Sequence, residues 1–591
     1  LLFLAGDVFT SGMAAVSCLL WILVEEDRSE RLGGLVLLCL AGLLGMLLAL
    51  PQILATALWI PETNRAILGM RLRESLFFSI HPLRLIELVM PYPFGPTWNL
   101  QYTDVWGWPL FHGKSIGLFN SLYAGAFAVI AVVAGWRSRE RGGRFARHLL
   151  LLALLVSILP SLIPPRWERF QSPLPLRNPE KFAVALTLAL ALSAGIAFDR
   201  LRTEEGKRRW TLVVAILLCL AASLAAVSPT SAGRLAALAV DGPPEVASDA
   251  ANVLSGVVAE GGLLWVATLV ALDLLRRRSR SAIAGCLALL TLVPIAANRK
   301  IARTLTEQEI FAPTRFARLL DREDPDRSFR TLGESLYRKE PFKVRFAGRD
   351  DEYTDVGRRF WTYQTSALWG RGMVFNRDFD VGDLSRMDSL RRFSMIAAGF
   401  PNSGPFFSSL ALKYGIRLKE HRPISGYHPF GGDDLQSWDL LENALPHIRL
   451  AGSWREETSA VAALKTIPRL AVNEIVIETG ARRLGQSRPG AVRVVRNGPE
   501  HLVVEVDAPD PTWLFVLRGF WLHRTVEIDG RPVEDVPAQV AFSAVPVPPG
   551  HHTVNWRERL PGWDVSRWGP VLFVLLAGAL LGRERQRRKT T

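Results

Sequence analysis

A proline-rich basic loop offers the clearest chemistry in this sequence. It runs from Pro164 to Phe182 between two apolar stretches, and Pro173, Pro175 and Pro179 prevent it from forming one continuous helix. Its cations are Arg166, Arg169, Arg177 and Lys181. Because a stiff loop can hold such cations around a phosphate, we predict that it forms the outer mouth of a lipid-facing site. A loop that only contacts lipid headgroups would carry the same charge.

Carboxylates near this loop are candidates for a general base. Transfer of a sugar needs such a base to deprotonate the acceptor hydroxyl, and it needs cations or a metal to stabilise the departing phosphate. The candidates are Glu168, Glu180 and Glu260. For Glu180 we favour an interfacial salt bridge with Arg166, Arg169 or Lys181. Glu260 lies in an apolar run, where a carboxylate is a functional candidate by default, unless its helix starts later and leaves it at the rim.

The carboxy-terminal half contains weaker candidates. Trp513, Phe520 and Trp521 could form an apolar platform for sugar rings, although core packing is the alternative role for at least two of them. The sequence Gly431-Gly432-Asp433-Asp434 could bind a divalent cation, but it is more typical of a solvated turn. We therefore predict no certain cofactor and no metal site. Surface positions explain the scattered histidines, which are His421, His428, His447, His523, His551 and His552.

Long apolar runs supply the elements that would position these residues. Nine of them are long enough to span a bilayer, near 6–24, 34–58, 117–135, 148–164, 182–199, 210–228, 254–275, 281–297 and 566–582. With nine spans, the arginine clusters around 137–147, 200–209, 276–280 and 583–589 share one side with the loop 25–31. The positive-inside rule identifies that side as the cytoplasm.

The fold class that follows is a polytopic α-helical membrane protein with a large extracytoplasmic α/β domain that ends in a β-sandwich-like module. We divide the chain into a membrane domain with eight spans at 1–297, a mixed α/β region at 298–495, a β-rich module at 496–565, and a final helix with a basic cytoplasmic tail at 566–591. The mixed region has helical patterns at Phe311–Leu320 and Ser385–Ala398 and a strand pattern at Phe342–Phe346.

Two local patterns support these assignments. Leu502, Val504 and Val506 alternate with polar residues, which predicts a half-buried strand. Asp529-Gly530 predicts a hairpin turn, and Pro532 makes the strand after it an edge strand. In the first outer loop, HPLRLIELVMPYPFG predicts an interfacial helix that ends before Pro91 and Pro93, and Trp98, Trp106 and Trp108 beyond it suit the headgroup level.

Composition and charge distribution argue against a nucleic-acid-binding protein and against a disulfide-rich one. The chain has 591 residues, of which 49% are hydrophobic, and a formal net charge of +14. Nucleic-acid binding is the usual role of so basic a chain, but here the excess charge lies in short clusters beside apolar helices. The four cysteines all fall in apolar runs and suggest neither a disulfide framework nor a metal site.

Several segments, taken in order, resemble the bacterial YfhO-like membrane proteins, which are similar to polytopic C-superfamily glycosyltransferases. The segments are LLFLAGDVFTSG at the start, HPLRLIELVMPYPFG, RNPEKF at 177–182, LALKYGIRL at 410–418, and the run from Gly519 to Val554. The resemblance implies transfer of a sugar from a polyprenyl-phosphate-linked donor to a glycan or envelope acceptor outside the bacterial cytoplasmic membrane. It implies that Arg177 and Lys181 contact the donor phosphate.

One departure from that family concerns the catalytic acid. The superfamily places this residue in its first outer loop, and the present chain begins at an apolar run that corresponds to later helices. We therefore expect that upstream helices and the base precede Leu1, and we carry over no catalytic acid. The alternative function is a non-catalytic, membrane-anchored protein that binds glycan or assembles the envelope.

Overall fold

A computed structural model describes most of the chain. The described residues are 8–63, 71–94, 121–201, 260–298, 307–333, 386–393, 404–558 and 562–590, apart from short gaps at 77, 168–169, 172–177, 275–276, 278, 388, 391, 420, 424–425, 435 and 522–523. The predicted span at 210–228, the predicted strand Phe342–Phe346 and Trp98, Trp106 and Trp108 lie outside these residues.

Helices make up the first part of the described chain. They are α1 Val8–Leu23, α2 Arg28–Leu48, α3 Leu50–Trp59, α4 Ala126–Gly135, α5 Arg141–Ile158, α6 Ala183–Leu201, α7 at 260–274 and α8 Arg280–Asn298. Short 3-10 turns follow α3 at Ile60–Glu62 and α5 at Leu159–Leu162, and others occupy Pro82–Leu88, Pro165–Trp167 and Pro179–Phe182. The single run predicted at 34–58 is divided into α2 and α3 at Ala49, where Pro51 near the start of α3 favours a new first turn.

Five helices are long and apolar enough to cross a membrane, judged by length and composition. They are Arg28–Leu48, Arg141–Leu162, Pro179–Arg200, Arg280–Asn298 and Trp563–Arg583, and Thr10–Leu23 and Ala126–Gly135 are shorter apolar helices. Large apolar side chains point outward from them, such as Leu37, which is 66% exposed, and Val574, which is 64% exposed. Exposed apolar surface of this extent is typical of helices in contact with lipid.

We call the described residues between 307 and 558 the outer domain, after their predicted location. The helix that follows it, α12 Trp568–Thr590, packs on the earliest helices. A Cβ built on Gly569 would collide with the carbonyl oxygen of Leu47 and with Leu50, so only glycine allows this approach. The short helix Trp563–Ser566 precedes α12, and Gly562 at its start has φ +68 and lies against Leu54. The chain therefore returns to the bundle at α2 and α3.

The loops at one end of the bundle share ionic contacts. Arg141 and Arg144 at the start of α5 pair with Glu25 and Glu26 between α1 and α2, and the guanidinium of Arg141 lies 4.3 Å from the ring centre of Trp21. The sequence prediction that the loop 25–31 and the basic cluster 137–147 lie at the same end is therefore confirmed in the geometry. We call this the basic end of the bundle.

The outer domain contains α9 Arg315–Glu323, α10 Gly404–Ser409 and α11 Ala460–Thr466, together with the short helix Glu307–Phe311. Its strands are β1 Arg330–Gly333, β2 Leu412–Leu418, β3 His428–Gly432, β4 Gln436–Leu440, β5 Ile448–Leu450, β6 Ser453–Glu457, β7 Glu474–Glu478, β8 Leu484–Gln486, β9 Ala491–Asn497, β10 His501–Ala508, β11 Thr512–Val516, β12 Arg524–Ile528, β13 Arg531–Val533, β14 Val536–Ala538, β15 Phe542–Val547 and β16 Gly550–Glu558.

These strands form three sheets. Their orders are β1-β2-β4-β3, β13-β12-β16-β10-β9 and β5-β11-β15-β14-β7-β6-β8. Alternate residues of the two larger sheets, such as Val504, Val516 and Val545, pack face to face in one core. The other face of the seven-stranded sheet packs on α10 and α11 through residues such as Phe407 and Phe515. The β-sandwich is therefore present, and because its strands begin at β5, the predicted boundary at 495/496 cuts through β9.

The local predictions for the sandwich are confirmed. Leu502, Val504 and Val506 are all buried on β10. Asp529 and Gly530 have φ +50 and +80, so both central residues of the turn are left-handed, as an Asp-Gly hairpin requires. Strand β13, which contains Pro532, lies at the edge of the five-stranded sheet. The helix-to-strand passage at 410–418 is also present, between α10 and β2.

Candidate functional site

The residues 79–94, which we call the site segment, lie at the end of the bundle opposite the basic end. The predicted interfacial helix there is a 3-10 helix, Pro82–Leu88, and His81 is its N-cap. Its charged residues point inward, since Arg84 is 1% and Glu87 is 6% exposed, while Leu83 is 51% and Ile86 is 41% exposed. This arrangement reverses the usual pattern of a helix on a soluble protein and suits apolar surroundings.

Arg84 forms a buried network with two carboxylates. Its Nε and Nη2 donate to the two carboxylate oxygens of Glu87 at 2.7 and 2.9 Å, and its Nη1 donates to Oε1 of Glu180 at 2.7 Å. Burial works against the charge of Arg84, but attraction from Glu87 and Glu180 leaves its pKa raised. The arginine is therefore permanently charged. It joins the site segment to the turn Pro179–Phe182 of the proline-rich basic loop.

Backbone hydrogen bonds explain why these loops meet. The amide of Glu180 donates to the carbonyl of Phe78 at 2.9 Å, and the amide of Ile80 donates to the carbonyl of Ser157 at 2.8 Å. Asn178 adopts a left-handed conformation, with φ 61, immediately before the turn Pro179–Phe182. This conformation is tolerated by asparagine better than by most residues, and it directs the chain into the turn that carries Glu180 and Lys181.

Three polar side-chain atoms around this junction are buried and make no hydrogen bond to any residue that the structure describes. They are Oγ of Ser79, Oγ of Ser157 and Oδ1 of Asn178. The whole residues Ser79 and Ser157 are completely buried. Because buried polar groups in proteins are normally paired, three such atoms beside an ionic network identify the junction as a candidate binding site.

A second polar group lies on the far side of the site segment. The hydroxyl of Tyr92 donates to Oδ1 of Asn298 at 3.3 Å, and Nδ2 of Asn298 donates to the carbonyl of Tyr123 at 3.4 Å. Trp265 on α7 donates from its indole nitrogen to the carbonyl of Val89 at 3.1 Å. The ends of α7 and α8 and the start of α4 therefore converge on the site segment.

Glu260, at the start of α7, belongs to this second group. Burial, together with the negative charges of Glu260 and Glu87, raises the pKa of Tyr92 to about 12. The hydroxyl of Tyr123 is buried and makes no hydrogen bond within the described part of the chain. Tyr92 therefore keeps its proton near neutral pH, and Glu260 places a negative charge close to the phenols of Tyr92 and Tyr123.

The structure brings together two of the three predicted catalytic candidates. Glu180 and Glu260 both lie against the site segment, while Glu168 is outside the described residues. Glu180 is paired with Arg84, which is 96 positions away, and sequence spacing gave no reason to choose this partner. Of the predicted phosphate-binding cations, Lys181 is half-buried beside Glu180, Arg166 is exposed, and Arg169 and Arg177 are outside the described residues.

The predicted sugar platform is divided between different environments. Trp513 packs against the core beneath the seven-stranded sheet. The Phe520 ring lies between the guanidinium groups of Arg386 and Arg524, at 5.6 and 6.0 Å from the ring centre. Trp521 is half-buried, and its indole nitrogen donates to Glu558.

The predicted turn at Gly431–Asp434 connects β3 to β4. Oδ1 of Asp433 accepts a hydrogen bond from the amide of Gln436 at 2.8 Å, so this carboxylate stabilises the hairpin. Within the described ranges, no group of three or more His, Cys, Asp or Glu residues is arranged to hold a metal ion.

Sequence reasoning missed the central arginine and its first partner. Arg84 and Glu87 occur three positions apart in an otherwise apolar segment, which is the spacing of an ion pair on one helix face. This spacing is the one sign of the ion pair in the sequence, and the apolar residues around it indicate only an interfacial helix. The prediction of surface histidines was wrong for His447, which is 6% exposed.

Comparison with known proteins adds no relative. No family model, curated protein or solved structure matches this chain.

Proposed function

We propose that this chain is a membrane glycosyltransferase, or the carboxy-terminal part of one, that transfers a sugar from a polyprenyl-phosphate-linked donor to a cell-envelope acceptor. The observation that carries the proposal is the buried network of Arg84, Glu87 and Glu180 at one end of an apolar helix bundle. Charges inside a membrane domain are costly, so they are rarely retained without a role in binding or catalysis.

Each part of the site has a role in this proposal. Arg84 holds the turn at Pro179–Phe182 in position. Lys181 within that turn, and Arg177, which precedes the turn in the sequence, bind the donor phosphate. Glu180 is engaged by Arg84 and therefore positions the turn. Glu260 lies with Tyr92 and Tyr123, which makes it the better candidate for the base that deprotonates the acceptor hydroxyl.

The proposal includes a topology. Nine spans would place the basic end of the bundle and the carboxy-terminus in the cytoplasm of a bacterium, and the site segment and the outer domain outside the cytoplasmic membrane. The arginine clusters at the predicted cytoplasmic loops support this orientation. A lipid-linked donor would then reach the site laterally, with its phosphate at the level of the outer headgroups.

The non-catalytic alternative is favoured by one observation. Both carboxylates nearest Arg84 are engaged by its guanidinium, and an ion-paired carboxylate with charge-assisted hydrogen bonds is a poor proton acceptor. If Glu260 is also not a base, the network would serve only to connect the loops beneath a glycan-binding domain.

The deciding experiment measures transfer in proteoliposomes that contain the full chain and a polyprenyl-phosphate-linked sugar. We expect Lys181→Ala and Arg177→Ala to reduce transfer by about a hundredfold, because each removes a cation that stabilises the departing phosphate. Glu260→Gln should reduce turnover with little change in donor binding, because an amide cannot take a proton.

The matched control is Arg277→Ala, since Arg277 is an exposed arginine that pairs with Asp273 near the other end of α7. This variant should keep wild-type transfer. Wild-type transfer by both the Lys181 and the Arg177 variants would refute the phosphate site, and donor binding without any turnover by the wild-type chain would favour the non-catalytic alternative.

A further inference from the structure

A second charged group lies in the outer domain where its three sheets meet. We call Arg330, His447, Arg449 and Arg518 the basic cluster. Arg330 begins β1 of the small sheet, His447 and Arg449 flank the first residue of β5 in the seven-stranded sheet, and Arg518 follows β11. The proposed transfer reaction does not use these residues, so their arrangement needs its own explanation.

Hydrogen bonds connect the members of the cluster. The amide and Nδ1 of His447 lie 3.0 and 2.7 Å from the carbonyl oxygen of Ser328, two residues before Arg330. Nε2 of His447 lies 3.4 Å from Nδ2 of Asn497, and Nη2 of Arg518 donates to Oδ1 of the same asparagine at 3.1 Å. This arrangement assigns the proton of the neutral imidazole to Nδ1 and leaves Nε2 to accept a hydrogen bond.

The arginines of the cluster have few carboxylate partners. Arg330 donates to the carbonyls of Arg327 and Phe329 at 3.3 and 3.4 Å. Arg449 donates to the carbonyls of Pro446 and Ser409 at 3.0 and 2.9 Å. Among the residues that the structure describes, neither guanidinium has a carboxylate within 4.0 Å.

Two carboxylates lie near the cluster. Asp324 accepts hydrogen bonds from the amides of Ser328 and Phe329 at 2.8 and 3.3 Å, and its charge attracts Arg330. The second carboxylate, Glu558, is shared between two arginines. Glu558 lies 4.0 Å from Arg518 and 3.9 Å from Arg524, and it also accepts from the indole of Trp521. The guanidinium of Arg449 lies over the face of Phe515, 4.4 Å from the ring centre, which stabilises a cation only partly. Positive charge therefore exceeds negative charge in a region where water is largely excluded.

The titration behaviour agrees with this imbalance. Burial, together with repulsion from Arg330, Arg518 and Arg449, lowers the pKa of His447 to about 4, although its hydrogen bond to Ser328 acts in the opposite direction. Burial lowers the pKa of Arg449 to about 9. Burial and repulsion from Arg518 lower the pKa of Arg330 to about 10 against the attraction of Asp324. Each of these groups would be stabilised in its charged form by a nearby anion.

We propose that the basic cluster binds an oxyanion, a phosphate or a carboxylate, between the guanidinium groups of Arg330 and Arg518. These two side chains are partly exposed and can be reached from solvent, whereas Arg449 and His447 are buried behind them and contribute positive potential. The planar guanidinium can donate two parallel hydrogen bonds to either anion, which lysine cannot do. This inference concerns the outer domain and does not depend on the proposed transfer reaction.

The test is calorimetric titration of the full chain in detergent with inorganic phosphate, with chloride at the same ionic strength as the reference. We expect saturable binding that weakens by about tenfold or more in Arg330→Gln and in Arg518→Gln, since each loses a charged hydrogen-bond donor. A second titration with glucuronate, compared with glucose, asks whether a carboxylate on a sugar is also accepted. Binding of either anion supports the proposal and identifies its chemistry.

The matched control is Arg493→Gln, because Arg493 is exposed on β9 and pairs with Glu505 outside the cluster. It should bind phosphate as the wild type does. Circular dichroism checks that each variant is folded, and Arg518→Lys, which keeps the charge without the fork, should show an intermediate affinity. The proposal is overturned if neither phosphate nor glucuronate binds more strongly than chloride, or if Arg493→Gln weakens binding as much as the cluster variants do.

Discussion

The helix bundle and the outer domain bury arginine in opposite ways. Arg84 is 1% exposed and is surrounded by two carboxylates, whereas Arg449 is 6% exposed and is held by carbonyl dipoles and an aromatic face. Two carboxylates thus outweigh the single positive charge of Arg84 in the bundle, whereas positive charge is in excess around Arg449 in the outer domain. The ion pairs of the bundle hold its loops together, while the excess positive charge of the outer domain provides a place where an anion can be stabilised.

The surroundings give a physical reason for this difference. The bundle presents apolar side chains outward, and in the membrane that we propose for it an uncompensated charge would have no water to solvate it. The outer domain has partly exposed arginines beside its buried ones, so counterions can approach. The sign and number of neighbouring charges, rather than burial alone, therefore distinguish the two regions.

Removing Arg84 should produce the largest effect. Arg84→Ala leaves two carboxylates buried without their cation, and we expect a loss of about 3–5 kcal/mol in the free energy of unfolding of the bundle. The measurement is unfolding of the reconstituted protein followed by the fluorescence of Trp265, which contacts the site segment.

A matched variant tests whether charge is the cause. Replacing all three residues together, as Arg84→Met, Glu87→Leu and Glu180→Leu, removes every charge and approximately keeps the volume. We expect it to recover most of the lost stability. If the triple variant is as unstable as Arg84→Ala, then the shape of this junction matters more than its charge.

Acid should destabilise the outer domain through His447. The folded form binds a proton with a pKa of about 4 and the unfolded form with a pKa near 6.5, so the folded state holds fewer protons in this window. Stability is therefore lost as the pH falls from about 6.5 to 4, by about 3 kcal/mol in total. Urea unfolding at a series of pH values measures this slope, and His447→Asn should reduce it.

His552 provides a control of opposite sign. Its ring donates to Asp529 at 2.7 Å, and this hydrogen bond raises its pKa above the usual value. The stability that His552 contributes is therefore complete at low pH and is lost as the pH rises through its folded pKa. His552→Asn should leave the acid-side slope unchanged, and a reduced acid-side slope in this variant would contradict the assignment to His447.

The smallest effect is expected at Glu558, the carboxylate that Arg518 of the basic cluster shares with Arg524. Trp521→Phe removes a hydrogen bond to Glu558, and we expect a loss of about 1 kcal/mol. A double-mutant cycle with Glu558→Gln isolates this contact by urea unfolding. A coupling energy near zero would mean that Trp521 stabilises the domain by packing alone.

Local patterns in the sequence predicted much of the fold. The alternation at Leu502, Val504 and Val506, the turn at Asp529-Gly530 and the edge strand at Pro532 depend on neighbours in the chain, and all three are present. Five apolar helices agree with predicted spans, because length and hydropathy alone define a candidate span. The number of nine spans stays a prediction.

The site was only partly predictable, because its partners are far apart in sequence. Glu180 was named as a candidate, but its contact with Arg84 depends on the pairing of Ile80 with Ser157 and of Glu180 with Phe78. The burial of His447 depends on the meeting of three sheets. The periodicity of a single segment gives no information about contacts between distant segments. Residue type alone predicts an exposed position for charged and histidine side chains.

The close approach of Gly569 to Leu47 has a consequence for biosynthesis. The surface of α2 and α3 that receives α12 is made early, whereas α12 emerges from the ribosome only after the whole outer domain. In the proposed membrane topology, this surface would therefore contact lipid or insertion factors until α12 is made. A substitution there would reduce the yield of assembled protein even when every catalytic and binding residue is intact.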